Sequence, residues 1–61
     1  MTFTTTDKLA AIERELGYRR RVYANRVHTG RMTQALADRQ IAIFEAIADD
    51  YREQVKRETL L

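Results

Sequence analysis

Gly30 sits near the middle of a chain that holds no proline and only one other glycine, Gly17. Glycine enters left-handed backbone without the steric penalty that other residues meet, so His28-Thr29-Gly30 reads as the end of one helix. Thr33 then offers a side-chain oxygen to the free N–H groups of a second helix opening at Gln34, with Met32 just outside as a staple residue. A turn this short forces the two helices to lie antiparallel. The sequence thus predicts an all-α fold, an antiparallel two-helix hairpin in one domain over residues 1–61. Helix 1 is expected at about 6–28, the turn at 29–33 and helix 2 at about 34–57. At the N-terminal end, Thr4 with Asp7 has capping-box spacing, and Thr6 directly before Asp7 is an equally good start.

Apolar residues repeat with the period of a helix in both halves. In helix 1 the stripe is Leu9, Ile12, Leu16, Tyr23 and Val27, broken by arginine at positions 19 and 20. In helix 2 it is Leu36, Ile43, Phe44, Ile47, Tyr51 and Val55, widened by Ala37, Ile41 and Ala48. A turn centred near residue 31 sets residue i of helix 1 across from about residue 62 minus i, so Leu16 meets the region of Ala46 and Ile47. Arg19, Arg20 and Arg21 then have no acid directly opposite. Gly17, inside a helix at a cost of about 1 kcal/mol relative to alanine, points to a close helix crossing.

Sixty-one residues bury too little surface to hold a large core. With no cysteine there is neither a disulfide nor a thiolate metal site, and one histidine cannot build a metal site alone, so no cofactor is expected. Self-association remains as the stabilising device, most simply a dimeric four-helix bundle, though higher order is open. Leu16, Phe44, Ile47 and Tyr51 are the expected interface between copies. No apolar run spans a bilayer and no signal-peptide core is present, which reads as a cytoplasmic protein that meets no membrane.

The net charge of +2 conceals an asymmetry. Residues 17–31 carry Arg19, Arg20, Arg21, Arg26 and Arg31 and no acid; residues 32–61 carry four bases against six acids. Arginine grips phosphate with a planar fork and tyrosine offers a stacking face, so Arg19, Arg20, Tyr23, Arg26 and Arg31 form a candidate site for a nucleotide or nucleic acid. Symmetry between copies would draw such clusters together and concentrate their field. The plainer reading makes Tyr23 core, leaves Arg20 and Arg21 solvated and pairs Arg19 with Glu15 one turn earlier. An enzyme is not expected: the chain has no Gly-rich phosphate loop and no HExxH, and His28 suits a helix C-terminus as a cap. Asp49 and Asp50 are adjacent and point apart.

Arg14-Glu15, Arg19 to Arg21, Val22-Tyr23, Arg26-Val27, Gly30-Arg31-Met32, Ala37, Ile41, Glu45-Ala46-Ile47 and Asp50-Tyr51 together resemble a family of short phage and prophage proteins over about residues 7–52. Two positions depart from that pattern: Ala24 stands where a proline often follows the tyrosine, and Gln40 where a glutamate precedes the helix 2 isoleucine. The resemblance implies a phage accessory protein in the host cytoplasm, one that counters host defence, and it supplies no catalytic residues. Two functions therefore follow from the sequence. One is a self-associating module that binds an anionic nucleotide-derived messenger or nucleic acid. The other is an interaction factor or inhibitor whose arginines meet an acidic surface on a host protein.

Overall fold

A computed structural model describes residues 2–60 and shows two helices, α1 at Thr5–His28 and α2 at Gln34–Thr59, with no strand among those residues. They pack side by side as a hairpin measuring 47 × 21 × 15 Å. None of the described helices is long and apolar enough to cross a membrane.

Local chemistry sets each helix end. Thr4 is the N-cap of α1: its hydroxyl accepts from the Asp7 amide at 3.0 Å while the Asp7 carboxylate accepts from the Thr4 amide at 3.2 Å, closing a capping box. Thr6 lies inside the helix. At the other end Gly30 has φ +76°, its amide donates to the Val27 carbonyl at 3.1 Å, and the Arg31 amide donates to the Arg26 carbonyl at 2.8 Å. These two bonds make a Schellman motif that satisfies carbonyls the helix leaves open. Thr29 adds a hydroxyl bond to the Asn25 carbonyl at 3.0 Å. Thr33 caps α2, accepting from the Leu36 amide at 3.1 Å, and Met32 is half-buried.

Four of the described residues are buried: Leu16, Tyr23, Ala37 and Ala48, at 3%, 7%, 4% and 0% exposure. The seam between the helices is therefore large against small. Leu16 and Tyr23 of α1 are buried along with Ala37 and Ala48 of α2, and Tyr23, Val27, Ala37 and Ile41 line one hollow beside the seam, so that two alanines let α2 approach the bulky side chains of α1. This phase corrects the expected stripe of α2, since Leu36 and Ile43 lie outside the seam at 47% and 43% exposure. It also corrects Leu16, which is enclosed within one hairpin rather than offered to a second copy. Phe44, Ile47 and Tyr51 are half-buried and keep part of their surface open.

Pairing across the hairpin corrects the expected register. Thr5 donates to Glu58, Arg20 to Glu45, and Arg52 to Glu13, each one to three residues beyond the position that 62 minus i gives. Arg20 thus has an acid across from it, which the expected register did not supply.

Gly17 marks no helix crossing. A Cβ built on it meets nothing within 4 Å, and its backbone is ordinary helix. Gly17→Ala should therefore stabilise the fold by about 0.5–1 kcal/mol through helix propensity and a less free unfolded chain. Gly30→Ala also meets open space, yet at φ +76° it should destabilise by about 1–2 kcal/mol. Urea unfolding followed by circular dichroism measures both, and equal signs would contradict this account.

Candidate anion-binding surface at the turn

The five predicted site residues fall into three environments. Arg19 is enclosed by its own chain: Nε donates to Glu15 at 2.8 Å, Nη1 donates to the Tyr23 hydroxyl at 2.7 Å, and the guanidinium lies 4.4 Å from the centroid of the Phe44 ring. The cation thus sits over an aromatic face while two of its nitrogens are hydrogen-bonded. The bond to Tyr23 raises the Arg19 pKa above the ordinary arginine value, partly offset by desolvation, and Glu15 adds to the rise. Arg19 makes these contacts through i to i+4 spacing on α1 and by reaching across to α2.

Tyr23 belongs to the seam. With its ring buried and its hydroxyl taken by Arg19, it presents no open face on which a base could stack, which corrects the picture of Tyr23 as a platform. Arg20 is exposed but bonded to Glu45, an ion pair across the hairpin. Such a pair between exposed groups fixes geometry more than it stabilises. A second ion-pair cluster lies on the same flank, where Arg52 contacts Glu13 at 3.1 Å and Asp49 at 2.7 Å, and these bonds, Glu13 first, raise its pKa.

Arg26 and Arg31 remain. Both are exposed, and neither makes an ion pair among the described residues. The Schellman motif brings them together: Arg31 follows the left-handed glycine, Arg26 closes the last full turn of α1, and the backbone of one donates to the other. Apolar side chains commonly meet at these two motif positions, and here both are guanidinium groups. The same end carries the start of α2, which has no acid in its first turn. At that end the C-terminus of α1 offsets the dipole of α2, and the two unopposed arginines give it a positive field.

Two of the hollows on the described surface flank the hairpin. One of about 180 Å³ lies beside the seam near the turn, lined by Arg20, Tyr23, Ala37 and Asp38 among others. Its cation is held by Glu45, and its acid accepts a hydrogen bond from the Gln34 amide at 2.8 Å. The other, about 540 Å³ and open, is formed by Phe3, Asp7, Lys8 and Ala11 at the terminal end, away from the arginines. Neither offers an enclosed cationic cavity. His28 is the exposed last residue of α1.

No family model, curated protein or solved structure matches the chain.

Sequence reasoning found the arginines but could not sort them. The i to i+4 spacing of Glu15, Arg19 and Tyr23 was the signal for the Arg19 environment. Phe44 as the surface beneath Arg19 had no signal, because that contact depends on the packing of α2. If Tyr23 acts through packing, Tyr23→Ala should cost about 3–5 kcal/mol, close to the whole stability of so small a fold, whereas Tyr23→Phe should keep its helicity. Thermal melts of both variants check this, and a Tyr23→Ala protein that melts like the parent would contradict the seam.

Proposed function

We propose that this chain is a small, non-enzymatic, self-associating accessory protein that binds an anionic ligand at the turn end of the hairpin, with Arg26 and Arg31 gripping the anion. The observation that carries the reading is the pairing of these two exposed arginines across the Schellman motif with no acid beside them. A phosphate or carboxylate there would meet two charged forks instead of one. Arg19 and Arg20, in this reading, are held by Glu15 and Glu45 and shape the surface rather than contact the ligand. The ligand class is phosphate-bearing: a nucleotide-derived messenger or a nucleic acid. A phage origin and a counter-defence role rest on the resemblance over about residues 7–52.

Self-association is supported by the thinness of the seam. Four buried residues, two of them alanine, are a small core for a 61-residue chain, and domains of this size need a further source of stability. Leu36 and Ile43 stay about half exposed on α2 beside half-buried Phe44 and Ile47. A second copy would cover them.

Arg26→Ala with Arg31→Ala should weaken binding of cyclic dinucleotides, single-stranded or duplex nucleic acid by roughly 10- to 100-fold, the range for losing a hydrogen bond to a charged group. Isothermal titration beside sedimentation, which confirms an unchanged assembly, measures this. Unaltered binding in the double variant would sink the turn site, and capture of an acidic host protein in place of any anion would favour the interaction-factor alternative.

A further inference from the structure

The hairpin is a charge dipole along its long axis. The turn half, residues 18–43, carries six arginines against Asp38, a side-chain charge of +5. The terminal half, residues 1–17 with 44–61, carries eight acids against five bases, −3, and the halves sum to the +2 of the chain. Two copies laid with their turns together would set +5 beside +5.

Particular residues sharpen this preference. The ion pairs of Glu13 with Arg52 and of Arg20 with Glu45 close one flank of the hairpin. The other flank, where Arg19 lies over Phe44, carries Val22, Ile43, Ile47 and Leu36 as its open apolar surface. Glu15 and Arg26 are eleven residues apart on α1, about three turns, and both fall on this open flank. Arg39 and Asp50 are likewise eleven residues apart on α2, along the outer margin of the same flank. Arg26, Arg39 and Asp50 are exposed and make no ion pair among the described residues. Each spacing joins opposite charges. The midpoint of the first falls between residues 20 and 21 and that of the second between 44 and 45, and the Arg20 to Glu45 bond holds those two midpoints level.

The geometry points to an antiparallel dimer, formed with a second copy through the open flank about a two-fold axis that crosses the hairpin at the level of Arg20 and Glu45. That axis lays α1 on α1 and α2 on α2, each reversed, so Arg26 meets Glu15 of the second copy and Arg39 meets its Asp50. Symmetry repeats both pairs. Ile43 lies near the axis, and Leu36 comes to cover the half-buried Tyr51 of the other copy. A two-fold axis along the hairpin does the reverse: it brings Arg26 against Arg39 and Glu15 against Asp50, like charge on like, which costs association energy and suppresses that mode. The dimer therefore separates the two turn ends instead of gathering their arginines into one cluster. Arg26 keeps donors for an anion at each end, since a guanidinium carries five and one carboxylate takes at most two.

This inference rests on the self-association proposed above, and the test tells the two apart. Lys8→Cys, a unique thiol on the open flank near the termini, carries a nitroxide label for pulsed dipolar spectroscopy. The antiparallel dimer should give a distance on the order of 40 Å, and the parallel one under about 20 Å, from 1.5 Å of rise per residue. Alongside it, sedimentation equilibrium of Arg39→Asp should show dimerisation weakened roughly tenfold, since symmetry counts each lost pair twice, with Asp50→Arg added in the same chain restoring it. A short distance, or tighter association of Arg39→Asp, overturns the antiparallel arrangement while leaving self-association standing. A long distance with no response to either reversal overturns the charge pairing. A monomer at every concentration overturns self-association itself.

Discussion

Ala37 and Ala48 let the two helices come close enough for Leu16 and Tyr23 to be enclosed, and the pairings across the hairpin depend on that approach. Large against small closes the seam even though arginines stand where α1 would otherwise supply more bulk. Arg19 answers the interruption by placing its guanidinium over the Phe44 ring, so that a cation serves as part of the wall. Once the helices are this near, exposed Arg20 and Arg52 reach acids across the hairpin and fix how α2 slides along α1.

Local chemistry was legible and tertiary phase was not. Thr33 and Gly30 declare themselves in sequence because capping depends on neighbours within four residues, and the helices begin and end where those neighbours say. The phase of α2 was harder to read. Leu36 and Ile43 outweigh Ala37 and Ala48 on any hydrophobic scale, yet the seam selects residues by fit, and the alanines win. Gly17 misleads for a related reason: a glycine in a helix suggests a neighbour, and here there is none within the chain.

The same distinction sorts the arginine cluster. Five arginines with no acid among them look alike as a string, but a side chain is free or engaged according to what packing brings within its reach. Glu15 was within reach in sequence, whereas Glu45 comes within reach only through the packing of α2 on α1. What remains open is Arg21 and the pair tied to the turn, and at the turn the chain has run out of nearby carboxylates. An unmatched charge in a fold this small marks where the molecule has most to gain from an outside partner.

The turn has a kinetic side as well. Every tertiary contact in the hairpin crosses the one link between His28 and Gln34, so the sequence separation of contacting residues grows steadily with distance from Gly30. Contacts beside the link close short loops and form at little entropic cost; the Thr5 to Glu58 bond closes a span of 53 residues and can form only once the rest has zipped. Opening runs the same path backward, fraying from the termini toward the glycine. Amide exchange should then fall into a gradient along the long axis, fastest at the free ends and slowest in the seam nearest the turn, so that the arginine-bearing end is also the last part of the molecule to lose its shape.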